Sequence, residues 1–304
     1  QSAFTLAESH SLYVLGTITK PFVPSAVHEF ISLYERERAP APTRTPAADD
    51  LSLEELREGI HTGCLTAFYQ PKVEVLTGRT VGVEALARWR RPNGQMVMPG
   101  SFIDLAESNG LIDELTQAVF SQAVEEGARW QAAGLNLQIS VNFSVRTLNR
   151  YDLPEFILGQ VAHAGLNPGL VTLEVTESSM MNDLKTPLEI LTRLRLREVG
   201  LSIDDFGTGH ASMERIKSIP FTEIKIDRSF VNGATRDPSA RAILESSANL
   251  GKSLGLRLVA EGVETQAEWD LVASCGCHEV QGFLLARPMP AAEIIPFIEC
   301  RGFN

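Results

Sequence analysis

Val171-Thr-Leu-Glu-Val-Thr-Glu177 and Leu201-Ser-Ile-Asp-Asp-Phe-Gly-Thr-Gly209 are both short apolar runs that finish in carboxylates. Within them Val171 to Thr176 and Leu201 to Asp204 read as strands by their length and their Val, Ile and Thr content. Outward from them the same pattern recurs at Leu65 to Gln70, Val81 to Ala87, Leu137 to Phe143, Glu223 to Ile226, Arg257 to Ala260 and Glu279 to Gly282. Between these runs lie amphipathic helical segments, among them Leu111 to Ala133, Leu153 to Ala164, Thr186 to Glu198, Ala240 to Leu254 and Gln266 to Ser274. Eight strands interleaved with helices over roughly 240 residues predict an α/β fold of the (β/α)8 TIM-like barrel type.

The chain has 304 residues, 44% of them hydrophobic, with a formal net charge of -11. It can therefore bury a large core, and its surface repels polyanions, which argues against broad binding to DNA or to anionic membrane. No apolar run approaches the roughly 20 residues that cross a bilayer, and the first residues lack a signal-like pattern, so a cytoplasmic protein is expected. Cys64, Cys275, Cys277 and Cys300 are too few and too unevenly spaced for a disulfide scaffold, and Cys275 and Cys277 lack the second pair of a structural zinc site. They read as reduced thiols.

Ala39 to Asp50 is rich in Pro and Ala without apolar periodicity, which marks a linker over residues 39–50. Before it, Leu12 to Ile18 reads as a strand and Ser25 to Arg38 as a helix, a fragment too small to be stable alone.

Polar residues stand where the apolar strands end: Glu84, Asn142, Glu174 and Glu177, Asp204 and Asp205, Lys225 and Asp227, Glu261 and Glu264. In a barrel of this kind the strand ends converge on one cavity. Several carboxylates gathered there repel one another unless cations compensate, and a set of oxygen donors without His or Cys suits Mg²⁺ or Mn²⁺. Paired ions roughly 3.5 to 4 Å apart activate water and steady the leaving oxygen of an in-line phosphoryl displacement, so phosphodiester hydrolysis is the suggested reaction class. Any one of these acids, taken alone, reads more readily as a helix cap or a surface charge; Glu177 and Glu264 fall at loop starts, and Asp227 reads as a cap. The glycines of Phe206-Gly207-Thr208-Gly209 permit a tight loop, and Arg88 and Trp89 follow Glu84 as a phosphate-binding or surface Arg and a core Trp. His61, His163 and His278 have no companions at ligand spacing and read as surface or loop residues.

Eight motifs in order, from Tyr69-Gln70-Pro71 through Glu84-Ala85-Leu86-Ala87-Arg88-Trp89, Val141-Asn142-Phe143-Ser144, Glu174-Val175-Thr176-Glu177, Asp204 to Gly209, Lys225-Ile226-Asp227 and Glu261-Gly262-Val263-Glu264-Thr265 to Gln281-Gly282, resemble the EAL-domain cyclic-di-GMP phosphodiesterases. The resemblance implies an EAL domain over residues 51–304 that opens cyclic di-GMP to linear pGpG, with two Mg²⁺ or Mn²⁺ ions. It implies Glu84, Asn142, Glu174 and Asp204 as ligands of one ion and Asp204, Asp205 and Glu261 of the other. Lys225 would orient the attacking water, and Glu261 would be either a ligand or the general base. By the same resemblance Gln70, Leu86 and Arg88 contact substrate, Glu177 anchors the loop from Phe206 to Gly209, and Glu264 and Gln281 support the site. The loop departs from the family pattern at His210-Ala211-Ser212, which bears on loop stability and dimer contacts and leaves every ligand position intact. Some degenerate relatives bind the nucleotide without cutting it, so a receptor is the alternative. An enolase-type lyase would also gather carboxylates at strand ends, and the ordered motifs speak against it.

Residues 1–38, with Lys20-Pro21 at the end of their strand, resemble the C-terminal part of a receiver (flavodoxin-like) domain of a response regulator. This implies an upstream histidine kinase and regulation through a dimer or higher homo-oligomer.

Overall fold

The computed structural model describes residues 51–91, 93–144, 146–177, 185–208 and 213–300, with backbone alone at 213–215. Residues 1–38 with Lys20, the linker at 39–50, and Gly209 to Ser212 lie outside the described residues.

The first described helix, α1 (Leu53–His61), starts on a reciprocal cap. Ser52 Oγ accepts from the Glu55 N–H at 3.1 Å and the Glu55 carboxylate accepts from the Ser52 N–H at 3.2 Å. Strands β1 (Leu65–Glu74) and β2 (Thr80–Arg90) follow, then β3 (Met96–Val97), α2 (Pro99–Ser108), α3 (Ile112–Ala132), β4 (Gln138–Asn142), α4 (Leu153–Ala164), β5 (Val171–Thr176) and α5 (Lys185–Arg195). The remainder is β6 (Gly200–Phe206), α6 (Met213–Ser218), β7 (Glu223–Ile226), α7 (Arg228–Gly233), α8 (Pro238–Ser253), β8 (Arg257–Ala260), α9 (Gln266–Ser274), β9 (Glu279–Val280), β10 (Met289–Pro290) and α10 (Ile294–Cys300).

The strands close into an eight-stranded barrel in the order β1, β2, β4, β5, β6, β7, β8, β9 and back to β1, while β3 and β10 extend its rim. All neighbours from β2 to β9 are parallel, whereas β1 is antiparallel to both β2 and β9. A uniform alternation of strand and helix does not describe this start. Only residues 75–79 join β1 to β2, and a parallel pairing needs a crossover of roughly a dozen residues or more. The strand also runs on past Pro71, where the sequence pattern stops it. Pairing with β9 begins only at Val73 opposite Val280, so the missing N–H of Pro71 costs no ladder bond on that side.

Alternation along each strand sorts the side chains. Ile139, Val141, Leu173, Val175, Leu201, Ile203, Ile224 and Ile226 join the hydrophobic layer beneath the helices. Their neighbours Ser140, Thr172, Glu174, Ser202, Glu223 and Lys225 are buried polar groups of the opposite face, the barrel interior. This interior has two levels about 6.6 Å apart, one pleat repeat along a strand. In the lower one Lys72 is fully buried, its Nζ 2.7 Å from Ser140 Oγ and 3.6 Å from Glu223 Oε1. Glu279 of the same level meets Arg257 at 2.9 Å.

Replacing Lys72 by Met is expected to lower stability by about 3–5 kcal/mol, because Glu223 then stays buried without its cation. Adding Glu223→Gln to that variant should regain most of the loss, which denaturant titration of the single and double variants measures.

Candidate active site

The upper level is built around one ammonium. Lys225 Nζ lies 2.6 Å from Glu261, 2.7 Å from Glu174, 3.0 Å from Asp204 and 3.4 Å from Glu84. These groups come from β2, β5, β6, β7 and the start of the loop after β8, brought level by the register that pairs Asn142 with Glu174 and Thr176 with Asp204. Glu84 is further held by Asn142 Nδ2, donating at 2.8 Å, and by Gln281 Nε2, donating at 2.6 Å. Gln281 also donates to Gln70 Oε1 at 3.1 Å, and Gln70 donates to the Ala286 carbonyl at 3.1 Å.

Asp204 and Asp205 are adjacent on a strand, and simple alternation would point their side chains to opposite faces. Two features bring Asp205 back toward the cavity. The β6–β7 register slips between Ile203 and Phe206, and Asp205 adopts φ +53, the left-handed region that Asp tolerates better than most residues. Beyond it the Glu177 carboxylate accepts from the Gly207 N–H at 2.7 Å, and Thr208 Oγ1 donates to the Asp205 carbonyl at 2.7 Å.

Ligand-capable oxygens of Glu84, Glu174 and Asp204 lie within 4.8 Å of one another, and those of Asp204, Asp205 and Glu261 do so as well. The two groups share Asp204. Glu174 Oε1 is fully buried without a hydrogen-bond partner, and an all-oxygen set suits a hard divalent cation. The residues therefore fit Mg²⁺ or Mn²⁺.

Burial dominates the proton affinities. It pushes Glu261 up to about 8 against the pull of Lys225, with Asp204 and Glu84 adding to the rise. Burial and Asp204 raise Asp205 to about 6. Glu174 is raised well above the usual carboxylate range by burial and by Glu84. Glu84 is buried too, but Lys225 and the Gln281 and Asn142 hydrogen bonds outweigh that and lower it. Burial acts to lower Lys225, and the carboxylates of Asp204, Glu174, Glu261 and Glu84 overcome it and hold the lysine charged.

A cavity of about 220 Å³ opens on this cluster, lined by Gln70, Glu84, Leu86, Asp204, Lys225, Arg228, Glu261, Gly262, Glu264, Gln281, Gly282 and Phe283. Leu86 and Asn142 also border a larger, mainly apolar cavity of about 530 Å³ with Ile103, Ile112, Leu115, Val119 and Phe143. Arg88 lines neither. Its guanidinium is buried, donates to the Ala87 carbonyl at 2.8 Å and sits 5.9 Å from the Phe68 ring centroid. Trp89 is a core residue, edge-on to Phe102. Asp227 caps α7 by accepting from the Ser229 N–H, and Thr265 with Glu268, rather than Glu264, caps α9. His278 Nδ1 accepts from the Leu258 N–H, and all four cysteines are free.

Three residues escaped the sequence reading. Lys72 lies one pleat repeat from Gln70, and that period of two is the signal that finds it. Arg228 follows Lys225-Ile226-Asp227 directly, where any strand-end residue is a candidate. Phe283 stands half exposed at the cavity rim beneath the Arg287 guanidinium, 4.1 Å from its ring centroid, and follows Gln281-Gly282.

Residues 53–288 match the family model described as the EAL domain. The chain belongs to the EAL-domain family. Among EAL relatives, the bifunctional diguanylate cyclase/cyclic di-GMP phosphodiesterase MucR of Pseudomonas aeruginosa is 40% identical over 244 residues, 80% of this chain and 36% of MucR. The chain thus spans about a third of MucR's length. The cyclic di-GMP phosphodiesterase RocR of the same organism is 32% identical over 302 residues, 99% of this chain and 76% of RocR. A solved structure of the PaMucR phosphodiesterase in complex with c-di-GMP superposes with a TM-score of 0.76 at 40% identity, over 80% of this chain and 98% of that one. Among the described residues no helix is long and apolar enough to cross a membrane.

Asp205→Ala is expected to lose about 1–2 kcal/mol of stability to left-handed strain, whereas Asp205→Asn should keep its melting temperature, because Asn tolerates that backbone. Both variants should bind Mn²⁺ more weakly, and thermal melts with and without the ion separate the two effects.

Stability should also depend on pH in a direction set by the raised acids. With Glu261 near 8 in the fold against 4.5 unfolded, the folded chain binds more protons across that window. Stability of chelator-treated protein therefore falls as pH rises from about 4.5 to 8, and divalent cation should flatten the fall. Melting temperatures measured at pH 5, 6.5 and 8 follow it.

Proposed function

We propose that this chain hydrolyses cyclic di-GMP to linear pGpG by adding water across one phosphodiester and breaking its P–O3′ bond. The observation that carries this reading is the pair of carboxylate groups joined at Asp204, with Lys225 between them. Fully ionised, five carboxylates against one lysine carry four net negative charges, the charge that two divalent cations would cancel. Glu84, Asn142, Glu174 and Asp204 would hold one ion and Asp204, Asp205 and Glu261 the other. Bound there, the ions would supply charge for the scissile phosphate and acidify a water molecule.

The chain's own residues do the rest. Lys225, kept charged and immobile by its carboxylates, orients the attacking water with its N–H donors. Glu261 has 17% of its side chain exposed, so it is the carboxylate placed to accept that water's proton, whereas Glu174 is wholly enclosed. Gln281 and Gln70 hold Glu84 and one wall of the cavity, and Glu177 fixes the loop after Asp205 through the Gly207 N–H. The apolar cavity beside Leu86 offers a planar base a desolvated surface. Arg88, Gln70 and Leu86 are read as substrate contacts.

The reading extends to a response regulator of the cytoplasm, with residues 1–38 ending a receiver domain that a histidine kinase phosphorylates, a linker at 39–50, and an EAL domain at 51–304 acting as a dimer or higher oligomer. Lys20-Pro21 supports it, and the similarity to RocR, through 99% of the chain, runs beyond residues 53–288 into this segment.

Incubation with cyclic di-GMP and Mg²⁺ or Mn²⁺ is expected to yield the linear dinucleotide, and chelator or Glu84→Ala to reduce turnover to background. Tight binding without turnover in either metal would make the protein a receptor.

A further inference from the structure

The cavity over the carboxylates has two cations in its lining, Lys225 and Arg228. Lys225 is held among four carboxylates on the reacting side and is 1% exposed. Arg228 is exposed, and among the described residues no carboxylate or carbonyl engages its guanidinium. The root of its side chain is fixed at the cavity mouth: Gly262 turns there at φ +66, so close that a Cβ on it would fall 2.3 Å from Cβ of Arg228. The loop carrying Glu261 thus packs on the Arg228 stem, beside the cavity that Arg228 helps to line.

A cyclic dinucleotide carries two phosphodiesters, each with one negative charge, and only one reacts. The other must sit near a strongly anionic wall, where an unpaired phosphate is repelled unless a cation meets it. We propose that Arg228 holds the phosphodiester that is not cleaved, through the paired N–H donors of its guanidinium, and so selects substrates with two phosphodiesters over those with one. This rests on the phosphodiesterase reading above.

Steady-state kinetics of the full chain, Arg228→Ala and Arg228→Lys in Mn²⁺, on cyclic di-GMP and on bis(p-nitrophenyl) phosphate, test it. Losing a charged hydrogen bond to substrate should raise KM for cyclic di-GMP in Arg228→Ala about 10- to 100-fold with kcat little altered. The ratio of kcat/KM between the two substrates should fall at least about tenfold, and Arg228→Lys should regain part of it. An unchanged KM for cyclic di-GMP, or an equal loss on both substrates, would overturn the assignment while the phosphodiesterase reading stands. A parent chain that cleaves bis(p-nitrophenyl) phosphate and leaves cyclic di-GMP intact would remove the substrate reading, and this proposal with it.

Discussion

Lys225 is one ammonium enclosed by four carboxylates, and most of the upper barrel can be understood as the consequence of that imbalance. A lysine with 1% exposure is stable in the barrel only as an ion-paired group, and the acids from β2, β5 and β6 and from the loop after β8 converge only because it stands among them. One positive charge is too little for four or five negative ones. The surplus appears as raised proton affinity at Glu174, Glu261 and Asp205, a demand that divalent cations would satisfy. The same attraction that assembles the site therefore leaves it with a surplus of negative charge.

A second constraint is geometric. Strand alternation admits every other side chain to the barrel, and Glu174, Asp204 and Lys225 obey it. Asp205 does not, and its entry depends on a register slip and a left-handed backbone, a local strain concentrated where the chemistry lies. Glu177, by accepting from the Gly207 N–H, ties the following loop to β5 and keeps that distortion in place. The reversed β1 matters for similar reasons. Because it runs against its neighbours, Gln70 and Lys72 enter the barrel at two levels, Gln70 bonded to Gln281 beside Glu84 and Lys72 beneath, neutralising Glu223. Small Ser140, Thr172 and Ser202 fill the other strands at the lower level, leaving room for the lysine stem.

The amino-acid sequence by itself determined which residues form strands and helices, and which strand positions carry acids: Val171 to Thr176 and Arg257 to Ala260 keep the bounds that periodicity and composition set for them. It also determined the family, since eight short motifs in order leave little freedom. What only the tertiary structure decided was neighbourhood. Alternation says that Glu174 and Ser202 face one way, but the pairing of β5 with β6 sets Thr176 beside Asp204, and closure of β9 on β1 carries Gln281 to Gln70 and Glu84. The antiparallel β1, the strand continued through Pro71, the buried Lys72 and the mouth position of Arg228 are of the same kind. Local propensity reaches a few residues along the chain, whereas register and closure are set by contacts between segments as far apart as Gln70 and Gln281, 211 residues, and those contacts place the charges.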